Sequence, residues 1–329
     1  MKFKPLLTSL CVALPMLAAS AGAMADKVTI KLAHNLEQTH VVHKAIDKMA
    51  KDLKAKSNGE IILRVYPSRQ MGDARETLEM VQNDALDMTK VNSSELEPFI
   101  GEFAIFNLPY LFKDEDHFKR MLYGDIGKKL ADKTQANGYR IVASYVGGTR
   151  SFYTKKPVHS PDDLKGMKIR VISTPTTNKS IELLGASPVS LPLGDVYTSL
   201  QQGVIDGAEN NIPSYASTRH DEVAKFYSAD QHTSIPDYLV ISEKAWNKMN
   251  PEQQKLFMEA AHDSEVYQQK LWDEETIRSK KEAEKLGVTF IEVDKAPFRE
   301  ALKPLFDDFR KDPKLVGFVD EIQSIQDAK

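Results

Sequence analysis

The residues with the most chemical reach sit where strands are expected to end. His34 closes the alternating run Val28-Thr29-Ile30-Lys31-Leu32-Ala33, and Lys90 and Asn92 follow Leu86-Asp87-Met88. Arg150 follows Tyr145-Val146-Gly147-Gly148-Thr149, Arg170 alternates with Ile169 and Val171, and Asn210 and Asn211 follow Ile205-Asp206-Gly207-Ala208-Glu209. In an open α/β sheet ligands bind outside the carboxyl ends of the strands. Two arginines suit a carboxylate, because a guanidinium fork engages both oxygens and stays charged when water is excluded. His40 and His43 stand one helical turn apart, a spacing that could place two imidazoles on a metal. No fixed carboxylate partner is evident, so they read as helix-surface or N-terminal-turn histidines, and neither a metal nor a cofactor is expected.

The sequence holds no G-x-S-x-G elbow, H-E-x-x-H, P-loop, G-x-G-x-x-G or C-x-x-C. Thiol nucleophiles, cysteine-ligated zinc and most nucleotide-binding loops are thereby disfavoured. An enzyme with Glu76 or His34 as general base is the competing reading from another class. No acid/base pair is evident from spacing, and an enzyme is not expected.

The elements that must position these groups follow from periodicity. After the first strand, Val42, Ala45, Ile46, Met49 and Leu53 space a helix over Thr39–Leu53, which Ser57-Asn58-Gly59 stops. A strand over Ile61–Val65, a helix over Asp73–Gln82 and a strand over Leu86–Val91 complete a β-α-β-α-β lobe with a mainly parallel sheet. The order recurs as strands Tyr139–Tyr145 and Met167–Ile172, helices Thr176–Leu184 and Gly194–Gln202, and strand Val204–Ala208. Val81-Gln82-Asn83-Asp84-Ala85-Leu86-Asp87 and Leu200-Gln201-Gln202-Gly203-Val204-Ile205-Asp206 echo one another, as duplicated lobes would. From Pro251 to Gly287 nothing breaks a helix, which at 1.5 Å per residue would run roughly 50 Å and could cross both lobes. A strand over Val288–Val293 and an amphipathic helix over Phe298–Arg310 follow.

Lys2 and Lys4, an apolar run from Leu6 to Ala19 and Ala23-Met24-Ala25 read as a signal peptide over residues 1–25, cleaved after Ala25. The apolar run is short for a bilayer span and no second one follows, so a periplasmic or secreted location is expected. The single cysteine, Cys11, falls inside that leader. With 44 basic against 47 acidic residues in 329, no basic field is available for nucleic acid.

These residues carry a resemblance to a known family. Tyr66-Pro67-Ser68 with Met71-Gly72, Asn107-Leu108-Pro109-Tyr110-Leu111-Phe112, Gly148-Thr149-Arg150, Asp163 through Val171, Gly185-Ala186-Ser187-Pro188, and Val196-Tyr197 running to Asn210 resemble the DctP-type substrate-binding subunits of TRAP (tripartite ATP-independent periplasmic) transporters. The resemblance covers residues 26–329. It implies a two-lobed α/β periplasmic-binding-protein fold with hinge strands and a long helix spanning both lobes. One lobe would take 26–147 plus 236–275, the other 148–235 plus 276–329. The arginine of the K-[IL]-R-[VT] strand, which salt-bridges the ligand carboxylate in the family, matches Arg170; the G-x-R arginine matches Arg150 and the asparagine after D-G-x-E matches Asn210.

Where sialic-acid binders carry a glutamate after the third strand, this chain has Asn92, and the surrounding runs look more like the members that bind glucuronate and galacturonate. Lys90 as a second cation, with amides at Asn92, Asn210 and Asn211, would suit such a polyhydroxylated acid, and His34 and Glu76 would contact hydroxyls or the anchor's surroundings. C4-dicarboxylates are the main alternative ligand. The resemblance further implies cleft closure, delivery to small and large integral membrane subunits, and a monomeric receptor.

Overall fold

The computed structural model describes residues 27–325, so the expected leader and its cleavage site lie outside the described residues. Five strands, β1 (Val28–Ala33), β2 (Ile61–Tyr66), β3 (Met88–Asn92), β4 (Tyr139–Tyr145) and β10 (Asp237–Ser242), form one sheet in the order β2-β1-β3-β10-β4. Six more, β5 (Thr149–Thr154), β6 (Lys168–Val171), β7 (Ser187–Ser190), β8 (Gly207–Asn210), β9 (Phe226–Ser234) and β11 (Thr289–Ile291), form a second in the order β11-β9-β5-β8-β6-β7. In the first, β1 pairs parallel with β2 and β3, and β10 runs antiparallel on β3. In the second, β6 pairs parallel with β7 and β8, and β5 runs antiparallel on β8. Apart from β11, the two orders are the same, with β6, β7 and β8 in the places of β1, β2 and β3. The echo between residues 81–87 and 200–206 therefore falls at equivalent points, each just before the strand that ends in a cleft asparagine.

Local sequence explains these elements. Helix Val41–Lys56 buries Val42, Ala45, Ile46, Met49 and Leu53, the apolar stripe expected of it, against β1, β2 and the long helix. Asp73 and Glu76 form a reciprocal capping box that starts helix Ala74–Gln82. The strand expected over Val204–Ala208 begins three residues later. Gly203 takes the left-handed C-cap conformation and the amides of Val204 and Ile205 turn back onto the Ser199 carbonyl, which consumes Val204 to Asp206 in the turn.

Two short segments cross between the sheets, Val146-Gly147-Gly148 from β4 to β5 and Ile235-Pro236 from β9 to β10. They lie against each other closely: a Cβ on Gly147 would come within 2.1 Å of the Ile235 carbonyl oxygen. Gly148 has φ +59°, which L side chains disfavour, and a Cβ there would meet Trp272 at 2.9 Å. The third connection is the helix Pro251–Lys285, with Asn250 and Gln253 in a capping box, Pro251 in its first turn and Gly287 (φ +84°) just past its end. It is unbroken at Ser264, whose hydroxyl bonds the Tyr145 hydroxyl at 2.8 Å. Gln268 holds the hinge residue Val146 by both backbone groups, at 2.8 and 3.2 Å. Phe257, Ala260 and Ala261 of this helix enter the apolar core of the first sheet, and Ala283 enters that of the second.

Residues 276–329 were expected wholly with the second lobe, and the end of the chain departs from that. Helix Ala296–Lys311 buries Phe298 and Leu302 in the second lobe but Leu305 and Phe309 in the first. Helix Val316–Ser324 then packs Leu315, Val319 and Ile322 with Phe118 and Leu130 of the first lobe, and His117 Nε2 bonds the Ile322 carbonyl at 2.9 Å. The apolar faces of both helices, not the strand order, decide their allegiance.

Candidate ligand-binding site

The carboxyl ends of β3, β6 and β8 converge beside the hinge on a cleft of about 480 Å³. Arg170 lies on β6 between Val189 and Ala208. Its neighbours Ile169 and Val171 enter the apolar core of the second lobe, so strand alternation turns Arg170 to the opposite face, where it lines the cleft. The side chain is 3% exposed, and its Nε donates to the Leu191 carbonyl at 2.8 Å. Among the described residues no carboxylate reaches ion-pair distance of it. Burial disfavours the charged form and holds this guanidinium below the usual arginine range.

Arg150 also lines the cleft, but its guanidinium is already engaged. Nε and Nη2 form a two-pronged pair with the Glu209 carboxylate, Nη2 also donates to the Glu209 carbonyl at 2.8 Å, and Nη1 donates to Asn210 Oδ1 at 2.7 Å. Glu209 is buried, which alone would raise its pKa; Arg150 and His232 outweigh that and bring it down to about 2. His232 is held in turn by Asp230, 2.8 Å from its Nδ1, and despite burial the two carboxylates raise it to about 9. Asn210 Oδ1 accepts from Arg150 and from the Asn211 amide, so its Nδ2 is left to face the cleft as a donor.

The first lobe contributes differently. Lys90 on β3 pairs with Asp237 on β10 at 2.7 Å, with side chains 5% and 14% exposed. Asn92 and Glu95 form a capping box on helix Ser93–Leu96: the Glu95 amide donates to Asn92 Oδ1 at 3.2 Å and the Asn92 amide to Glu95 Oε2 at 2.8 Å. Asn92 Nδ2 remains a donor. Glu95 lines the cleft as well, and burial raises its carboxyl to about 7.

Six of the eight expected residues therefore line one cavity: Arg170, Arg150, Asn210, Asn211, Lys90 and Asn92. Asn211 does so with its amide spent, donating to the Gly147 carbonyl at 2.8 Å and capping helix Ile212–Ser217 through the Ser214 amide at 2.8 Å. His34 and Glu76 are placed elsewhere. His34 accepts from the Leu36 amide at 3.2 Å and shares a 3.0 Å hydrogen bond with His43, and burial lowers it to about 3. His40 caps the first helix and reaches Ser214 across the lobes at 3.3 Å. Glu76 caps Asp73 on the wall of a neighbouring cavity. The sequence reading passed over Glu95 and Asp237; the Asn92-x-x-Glu95 spacing, a capping-box signature, was the available sign of the first.

The lobes touch across this cleft: Glu97 Oε1 accepts from the Thr176 amide and hydroxyl at 3.2 and 2.7 Å, and Arg69 lies 3.6 Å from Asp195. Two topologically matched α/β lobes, two hinge segments, a helix shared by both and a polar cleft with one uncompensated guanidinium define a two-lobed solute-binding receptor. The chain belongs to the DctP family, the bacterial extracellular solute-binding proteins of family 7, whose sequence profile matches residues 32–312. It is 38% identical to an uncharacterized protein, YiiZ, of Salmonella typhimurium, over 88% of this chain and 89% of that one. A TRAP periplasmic solute-binding protein of Xanthobacter autotrophicus, solved with bound β-D-galacturonate, is 38% identical with a TM-score of 0.87, over 90% of this chain and 100% of that one. One from Chromohalobacter salexigens with bound D-glucuronate is 32% identical with a TM-score of 0.88, over the same shares.

Proposed function

We propose that this protein is the periplasmic receptor of a TRAP transporter, that it captures a hexuronate such as glucuronate or galacturonate, and that it hands the acid to integral membrane subunits. The observation that carries the ligand reading is Arg170, a buried guanidinium with no carboxylate at ion-pair distance among the described residues, near the end of a strand in a cleft lined with amides. A ligand carboxylate offsets the desolvation of that cation, and Asn92 and Asn210 present amide N–H donors to hydroxyls. Arg150, neutralised by Glu209, supports Asn210 and the cleft wall. The structures with bound uronates share this fold and family and support the same class of ligand here.

Binding draws the lobes together about Val146-Gly147-Gly148 and Ile235-Pro236, because only the closed arrangement lets β3 from one lobe and β6 and β8 from the other reach one ligand. The chain acts as a monomeric binding protein, not a catalyst. His34 and Glu76, the side chains considered as general bases, are turned to structural bonds away from the cleft.

The test is calorimetry on residues 26–329 with hexuronates, aldonates, C4-dicarboxylates and sialate. Hexuronates should bind, and R170A should weaken them at least 100-fold, about 3 kcal/mol, with an unchanged fold. Binding of malate or succinate alone would refute the uronate assignment, and full affinity in R170A would refute the anchor.

A further inference from the structure

Of the three cations that line the cleft, two are already balanced by the protein, Lys90 by Asp237 and Arg150 by Glu209, leaving Arg170 alone. The cleft thus offers one vacant positive charge. Glu95 faces the same space. One of its oxygens, Oε2, is occupied by the Asn92 amide, while Oε1 has no protein partner among the described residues. Glu95, Arg170, Ile172 and Leu193 also form the wall shared with a neighbouring cavity of about 880 Å³, so the Glu95 carboxyl stands at the boundary that any longer or second acidic group would approach.

We propose that Glu95 sets the charge selectivity of this receptor, admitting sugar acids with one carboxylate and rejecting those with two. This rests on the uronate reading above. A sugar hydroxyl donates to the open oxygen of Glu95. A second carboxylate has no cation left to meet and is set against a like charge in a site shielded from water, where such a juxtaposition is costly. The charged groups around Glu95 are Lys90, Asp237, Asp73 and Arg170; the two carboxylates among them add to the repulsion, and both lysine and arginine are needed elsewhere. Because burial raises Glu95 to about 7, the discrimination is fullest in mildly alkaline solution.

Aldarates add the second carboxylate but, lacking the aldehyde carbon, stay open-chain, so the change of the ratio in E95Q rather than the wild-type ratio alone reads the charge. Glucarate and galactarate carry the six carbons and hydroxyls of glucuronate and galacturonate, but a second carboxylate replaces the aldehyde carbon. At pH 8 the wild type should bind each hexuronate at least 100-fold more tightly than its aldarate. E95Q keeps the capping box, since glutamine accepts from the Asn92 amide equally well, and should narrow that ratio at least tenfold. Equal binding of both acids by the wild type, or an unchanged ratio in E95Q, would overturn the role of Glu95 while leaving the uronate reading intact. A wild type that binds neither acid would overturn the uronate reading, and this inference with it.

Discussion

The two lobes are built on one strand order and use it to opposite electrostatic ends. In the first, the strand that ends in the cleft carries Lys90, matched across the sheet by Asp237, and closes with an asparagine-glutamate capping box. In the second, the equivalent strand β8 ends in Asn210, clamped by the Arg150–Glu209 pair, and its neighbour β6 carries Arg170 with no carboxylate at ion-pair distance among the described residues. The scaffold fixes where functional groups stand; the side chains decide which lobe holds the ligand's charge and which reads its hydroxyls. A lone buried cation is unfavourable until a ligand arrives, so on the proposed reading the second lobe would set affinity and the first discrimination.

The sharpest way to break this contrast is to remove one acid from each balanced pair. E209Q leaves the Arg150 guanidinium buried without a counter-ion, and a guanidinium cannot shed its proton, so a loss of about 3–5 kcal/mol is expected. D237N leaves an ammonium on a flexible stem that water can reach by a small movement, and the loss should be nearer 1–3 kcal/mol. Urea unfolding of both variants measures the difference. Equal losses would mean that the two lobes bury their ion pairs to the same effect, and the asymmetry argued above would reduce to Arg170 alone.

Acid and alkali should separate the lobes next. Burial lowers His34 and His40 in the first lobe and His220 in the second from 6.5 to about 3. The unfolded chain therefore takes up these protons first, and stability falls as pH drops from 6.5 towards 3, by about 1.4 kcal/mol per pH unit for each imidazole. Glu209, lowered from 4.5 to about 2, adds a loss only below about 4.5. His232 works the other way. Raised from 6.5 to about 9, its contribution is complete below 6.5 and disappears as pH rises through 9. Melting temperatures from pH 4 to pH 10 should show both declines; H220Q should make the acid decline shallower, and H232Q should flatten the alkaline one. An alkaline decline that survives H232Q would detach it from the second lobe's ion network.

How much of this was legible in the residues depended on whether a signal was local. Strands β1 to β3, the helices between them and both ends of the long helix were readable because alternation, capping residues, Pro251 and Gly287 act within a few positions. The hinge strands β5, β9 and β10 were not. Tyr238-Leu239-Val240-Ile241 is buried on both faces and does not alternate, while Arg150 and Ser151 break the pattern of β5 with residues that serve the cleft and accept the Gln231 amide of β9. The strand-end rule picked out Arg150, Arg170, Asn92 and Asn210, and the structure brings these four to one cleft. It could not tell that His34 turns to His43, or that Glu76 caps its helix while Glu95, in a second capping box, opens into the cleft. Those choices are made by side-chain partners distant in sequence.

The smallest expected effect concerns the rim. Arg69, at φ +62°, lies between Asp73 of its own lobe at 3.1 Å and Asp195 of the other at 3.6 Å. The Arg69 and Asp195 side chains are 40% and 53% exposed, and an ion pair so open to water is worth at most about 1 kcal/mol. R69A should therefore lower hexuronate affinity by no more than about fivefold, and less at high salt, where such contacts are screened. G194A tests the same contact from the other side. A Cβ there would come 1.6 Å from Arg69 Nη1, but the obstructing group is the end of a long flexible side chain that can move aside. Its effect should not exceed that of R69A. A loss of two orders of magnitude in either variant would move the determinant of closure from the cleft floor, where Arg170 and Glu95 stand, to its rim, and the division of labour between the lobes would have to be redrawn around Arg69.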